Sequence, residues 1–251
     1  MKRAYSPKEI AATKWVTLPW NEKWSKPFGF PAENASWFIS GASASGKSSF
    51  VMQLGKELCN YGPVLYMSYE EKINQSFQRR MGYLKMNEVQ GKFRVVTEGS
   101  LEEVIARLKK PKSPKFIIID SFQVAGWDYP QAVELMETFP KKCFIWISQE
   151  KKSQPMGGGA VRLKYICDMK IRVVGYKAYC QGRAIGDPGS YYVVWEDGII
   201  QTSNNLPKRL WIITKRLLKA TPERKCSRFC WTEVPPGQCW MTGWSETSKV
   251  T

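Results

Sequence analysis

The segment Gly41-Ala42-Ser43-Ala44-Ser45-Gly46-Lys47-Ser48 has two glycines separated by four residues, then a lysine and a hydroxyl, with Ser49 directly after. This is the spacing of a phosphate-binding loop. Glycines at 41 and 46 let the backbone turn so that successive N–H groups and a helix N-terminus point at an anion. In that arrangement Lys47 reaches the β- and γ-phosphates of ATP, and the Ser48 hydroxyl holds Mg²⁺. Two apolar runs then deliver acids. Phe116-Ile-Ile-Ile-Asp120 ends in a carboxylate suited to the Mg²⁺ shell, and Val64-Leu-Tyr-Met-Ser68 leads into Tyr69-Glu70-Glu71. Hydrolysis needs a group to orient the attacking water. The chain contains no histidine, so a carboxylate is expected to do this. Glu70 is the first candidate and Glu71 the second, since an acid there also suits the first turn of a helix.

A third run, Phe144-Ile-Trp-Ile-Ser148, ends in Gln149, a neutral amide placed to sense a γ-phosphate. The following loop, Lys151 to Arg162, holds Gly157-Gly158-Gly159 with Lys151, Lys152, Arg162 and, just beyond, Lys164. Mobility with positive charge fits contact with a nucleic-acid backbone. The same composition also serves a plain solvated loop.

The elements that must position these groups read as an α/β fold. Apolar runs at 37–40, 64–68, 93–97, 116–120, 143–148 and 169–174 alternate with helical periods at 48–59, 72–82, 101–109, 131–139 and 159–166. Such alternation predicts a mainly parallel central sheet with helices on both faces. Tyr191–Glu196 and Ile199–Thr202, joined by Asp197-Gly198, predict a C-terminal antiparallel hairpin at the sheet edge. The organisation expected is an N-terminal arm over 1–35, rich in Lys, Trp and Pro and packed onto the main domain, a core over 36–204, and a basic cysteine-containing appendage over 205–251.

The 251 residues carry a formal charge of +16, a field that attracts polyanions, so nucleic acid is the natural partner. Seven cysteines without the regular spacing of a disulfide framework, and an N-terminus without an apolar leader, favour a reducing cytoplasm. No apolar run reaches the length of a membrane span. Cys226, Cys230 and Cys239 supply three thiolates where a structural zinc takes four ligands, so free thiols are expected there.

Taken together these motifs resemble the RecA-like P-loop NTPases, and specifically the RadA/Sms group and the DnaB-type helicase ATPase domain. The similarity runs over roughly residues 28 to 200. It includes Gly46-Lys-Ser-Ser-Phe-Val-Met-Gln-Leu54, Leu65-Tyr-Met-Ser-Tyr-Glu-Glu71, Gln75 with Arg79-Arg80, and Ile118-Ile-Asp-Ser-Phe-Gln123. The resemblance implies an ATPase in a ring or filament, with nucleotide at a subunit interface and single-stranded DNA held by inner loops after Asp120 and Gln149. It makes Glu70 the catalytic glutamate and Gln149 the γ-phosphate sensor. It also aligns Gln181-Gly182-Arg183 with a Lys-x-Arg element that reaches into the neighbour's site, so Arg183 becomes a trans finger although Gln181 replaces the lysine. The zinc module of RadA has no counterpart here, because no cysteine precedes Cys59. Such a pared-down core is associated with phage and mobile elements. Two functions follow from the resemblance: a DNA-stimulated ATPase of recombination, repair or replication, or a nucleotide-dependent clamp or loader. A small-molecule kinase is a weaker third reading.

Overall fold

A computed structural model describes residues 4–183 and 186–204. The proposed appendage and its Cys226, Cys230 and Cys239 lie outside the described residues. The chain runs α1 (Pro7–Ala12), α2 (Glu22–Phe28), β1 (Trp37–Gly41), α3 (Lys47–Leu58), β2 (Val64–Ser68), α4 (Gln75–Tyr83), a 3₁₀ turn (Met86–Val89), β3 (Phe93–Val96) and α5 (Leu101–Lys109). It continues through β4 (Phe116–Asp120), α6 (Phe122–Ala125), α7 (Tyr129–Thr138), β5 (Cys143–Lys151), β6 (Gln154–Pro155), α8 (Gly158–Ile166), β7 (Met169–Val174), β8 (Lys177–Cys180), β9 (Tyr192–Val193) and α9 (Glu196–Asn204).

The sheet order is β3-β2-β4-β5-β1-β7-β8-β9, with β6 paired to the end of β5. Pairing is parallel from β3 to β7 and antiparallel across β7, β8 and β9. Strands covered on both faces must be apolar at successive positions. In β4, Phe116 and Ile118 enter one core while Ile117 and Ile119 enter the other. The first core takes α3 and the N-terminal segment, and the second takes residues of α5, α6, α7 and α8.

The N-terminal segment is built into the first core by its aromatic residues. Trp24 stacks on Tyr192 with ring centroids 4.3 Å apart, Phe28 lies 5.8 Å from Phe50 of α3, and Trp20 lies 5.8 Å edge-on to Trp37 of β1. Helix starts follow side-chain caps rather than apolar periodicity alone. Asn74 accepts from the Phe77 N–H and starts α4 at Gln75, later than the expected 72. The Asp128/Gln131 capping box starts α7 at Tyr129, earlier than the expected 131.

The C-terminal edge is antiparallel as expected, but its strands are not those expected over 191–202. Asp197 and Gly198 lie in the first turn of α9, where Glu196 and Asp197 suit the helix dipole. The antiparallel edge is instead made by β8, joined to β7 through Gly175 and Tyr176, whose φ values are 54° and 60°. Two consecutive left-handed residues make a tight turn matched to strand twist. Tyr192–Val193 then pairs with β8, while residues 199–202 continue α9. No helix among the described residues is long and apolar enough to cross a membrane.

Candidate nucleotide site

Parallel pairing brings the C-terminal ends of β1, β2, β4 and β5 to one sheet edge, and with them the acids and amides named above. Gly41 is in register with Gln149, and Ser68 with Asp120. The chain leaves β1 into the phosphate loop, with Ala42, Ser43 and Ala44 exposed, and re-enters the fold at Ser45. Ala44 and Gly46 have φ of 59° and 96°, and α3 begins at Lys47. The Lys47 Nζ donates to the Ala42 carbonyl at 3.0 Å, bending the side chain back over the loop. Burial lowers the Lys47 ammonium from its usual range, while Glu70, Asp120 and Glu150 oppose that shift.

A cleft of about 360 Å³ opens above this loop. Ser43, Lys47, Ser48 and Ser49 form its floor, and Glu70, Arg80, Gln149 and Tyr176 its walls. The backbone demands glycine at both ends of the loop. A Cβ on Gly41 would stand 2.4 Å from the Val173 carbonyl oxygen, and one on Gly46 would stand 2.8 Å from the Tyr176 ring. Tyr176 also donates its N–H to the Ser45 carbonyl at 3.1 Å. The Ser45 hydroxyl is buried without a hydrogen-bond partner. An orphaned donor, glycines no side chain can replace and a lysine over the loop all fit an anionic phosphate chain, and Ser48 with Asp120 fits the hard-oxygen preference of Mg²⁺.

Asp120 ends β4 and is buried; its Oδ2 accepts the Tyr66 hydroxyl at 2.5 Å. Burial pushes its carboxyl up to about 6; Glu70 adds to the rise, while Tyr66, Lys47 and Arg80 oppose it. An unfolded aspartate titrates near 3.9. The folded state therefore holds this proton more tightly, and its stability falls as pH rises through 6. At about 1.4 kcal/mol per pH unit the cost of ionisation approaches ~3 kcal/mol above pH 7 and vanishes below about pH 4. Asp120→Asn keeps an acceptor for Tyr66, so in chelator it is expected to unfold at higher urea than the parent at pH 8. Urea titrations should show that advantage shrinking as pH falls from 7 to 5.

The two glutamates separate. Tyr69 and Glu70 donate their N–H groups to the Asp120 carbonyl at 2.7 and 3.0 Å, which fixes Glu70 beside β4, with its side chain exposed at the cleft. Glu71 turns away into Arg80, with contacts of 2.7 and 3.2 Å, and accepts from Ser76. Burial would raise the Glu71 carboxyl, but those Arg80 and Ser76 bonds outweigh it and hold it below the usual carboxylate range.

Arg183 lies outside this chain's own cleft. It follows β8 to the opposite sheet edge and pairs with Asp168 at 3.4 Å, a carboxylate that also accepts from Ser36 at the start of β1. Lys151 and Lys152 are exposed at a two-residue turn joining β5 to β6, and Lys152 and Ser153 are both left-handed there. Arg162 and Lys164 sit two residues apart on α8 and so point to different sides. A larger cleft of about 630 Å³ beside Lys56, Tyr83 and Tyr192 shares no lining residue with the one over the loop, and its Lys56 is already paired with Glu88 at 2.8 Å.

Several groups at the site carry no sequence motif. Arg80 was visible only as half of a basic pair. Tyr66 reads as an ordinary strand residue. Glu150 is buried between the Ser40 hydroxyl at 2.8 Å and the Arg172 Nε at 3.1 Å, tying β5 to β1 and β7 beneath the loop. A lone acid directly after Gln149 was the one available signal.

No family model matches the chain. The DNA repair protein RadA of Streptococcus pyogenes serotype M1 is 32% identical over 85 residues, which is 34% of this chain and 18% of RadA. The match thus spans less than a fifth of that relative's length. The flagellar accessory protein FlaH of Methanocaldococcus jannaschii aligns over 72% of this chain and 92% of its own at 17% identity, with a TM-score of 0.49. A KaiC-like protein of Pyrococcus horikoshii OT3 aligns over 68% of this chain and 88% of its own at 17% identity, with a TM-score of 0.50. With a phosphate loop rising from β1 in the middle of a mostly parallel sheet and acids delivered at the ends of β2 and β4, the chain has the RecA-like P-loop fold.

Proposed function

We propose that the protein binds ATP with Mg²⁺, hydrolyses it, and couples hydrolysis to work on single-stranded DNA as a homo-oligomer in recombination, repair or replication. The observation that carries this reading is the convergence of Lys47, Ser48, Glu70, Asp120 and Gln149 on one sheet edge. Gly41 through Ser49 bind the phosphates by backbone N–H groups, and Lys47 neutralises the β/γ end. Ser48 and Asp120 would hold Mg²⁺, which when bound draws charge from the phosphate oxygens. Glu70, held by the Asp120 carbonyl, orients the attacking water and takes up its proton. Gln149 faces the γ-phosphate.

The DNA part is supported by the +16 charge and by the exposed Lys151 and Lys152 turn beyond Gln149. Phosphate turnover measured with and without single-stranded DNA across a salt series tests it. Stimulation is expected to fade as salt rises, since each phosphate contact adds about 0.7 to the slope of log affinity against log salt. Absence of both binding and stimulation at low salt would remove the DNA role. A nucleotide-dependent clamp or loader is the second reading. It is favoured by Gln181 in place of a lysine and by the Asp168 partner of Arg183, both of which weaken a trans finger.

A further inference from the structure

Gln123 is the second residue of α6, three positions after Asp120, and is half-buried. Its amide makes three contacts that leave the helix. Nε2 donates to the Ser148 hydroxyl at 2.7 Å and to the Met156 carbonyl at 2.8 Å, and Oε1 accepts from the Gln149 N–H at 3.4 Å. Met156 in turn donates its N–H to the Gln149 carbonyl at 3.0 Å. Both main-chain polar groups of Gln149 are thereby committed, the N–H to Gln123 and the carbonyl to Met156 and the Ser148 hydroxyl. The same amide holds the segment returning from the Lys152-Ser153 turn. Directly beyond Met156, a Cβ on Gly157 or Gly158 would meet nothing within 4 Å.

We propose that Gln123 is a positioning residue that ties Gln149 to the β5–β6 hairpin, so that filling the phosphate loop alters the hairpin carrying Lys151 and Lys152. This rests on the reading of Gly41–Ser49 as a triphosphate cradle faced by Gln149. Gln149 cannot shift its backbone toward or away from a phosphate without stretching a bond to Gln123 or to Met156, and Gln123 itself reaches Met156 across 33 residues of chain. An amide is the group this junction requires, because two N–H donors and one acceptor are used at once. A carboxylate of the same shape would set oxygen against the Met156 carbonyl.

Hydrogen exchange on the full chain, with and without a slowly hydrolysed ATP analogue and Mg²⁺, is the test. In the parent, exchange is expected to slow across both 42–49 and 150–157, by about threefold or more at the hairpin. In Gln123→Glu and in the uncharged Gln123→Leu, the cradle is expected to remain protected by the analogue while the hairpin response is lost. A fluorescent analogue should bind all three proteins within about threefold of one another. A hairpin response that survives in both variants overturns the proposal, as does a parent whose cradle is protected while its hairpin is indifferent. A parent whose cradle shows no protection brings down the underlying nucleotide reading instead, and the proposal with it.

Discussion

Lys47→Ala is expected to weaken ATP binding by at least about 30-fold, because removing one partner of a largely desolvated ion contact costs about 2–5 kcal/mol. Turnover should fall by a further factor of about 10²–10³, the loss typical of deleting a donor aimed at developing charge. The geometry explains why no neighbour replaces it. Lys47 is the first residue of α3, its ammonium is bent over the loop onto the Ala42 carbonyl, and the other cation at the cleft, Arg80, is engaged by Glu71. Titration with a fluorescent ATP analogue measures the first loss, and phosphate release at saturating ATP the second. A variant that binds and cleaves ATP like the parent would show that the cleft is not the nucleotide site.

Glu70→Gln should have the opposite signature, with affinity within a few-fold of the parent and turnover lower by about 10²–10⁴, the span ascribed to a positioned general base. The amide keeps the shape and the backbone bond to Asp120 but cannot take a proton from water. Glu71→Gln is the matched comparison. It breaks the pair with Arg80, and since Glu71 and Arg80 retain 24% and 22% side-chain exposure, solvent screening limits the stability loss to about 1 kcal/mol. Single-turnover chemistry measured on both variants separates the roles. Equal loss in the two would remove the assignment of Glu70 as base.

The central strands were legible because a strand buried on both faces must be an unbroken apolar run, and Phe116-Ile-Ile-Ile-Asp120 admits no other reading. The phosphate loop was legible because backbone geometry at 41 and 46 admits only glycine. Legibility failed where an outcome is decided by a distant partner. Asp197-Gly198 has the composition of a hairpin turn, yet Tyr192 pairs with Ala178, a residue no local pattern links to it. Glu70 and Glu71 are adjacent and chemically identical; the sequence ranks Glu70 first, and the structure separates the two through Arg80 and Ser76, which engage Glu71. Arg183 is held by Asp168, fifteen residues back in the chain, a pairing no local pattern announces. Trp24 reads as part of an arm, and its stacking on Tyr192 depends on the complete sheet.

Tyr176 stands between two glycines, since added Cβ atoms at Gly46 and at Gly198 would each fall 2.8 and 2.7 Å from its ring. Its backbone N–H also holds Ser45, so the nucleotide loop takes its final shape against residues synthesised more than a hundred positions later. During translation the ribosome would release Gly41–Ser48 long before that mould exists. A nascent chain halted at the end of α8 would carry every residue of the motif but not the Tyr176 N–H that holds Ser45, so the packing of the loop is completed only once the β7–β8 turn has emerged.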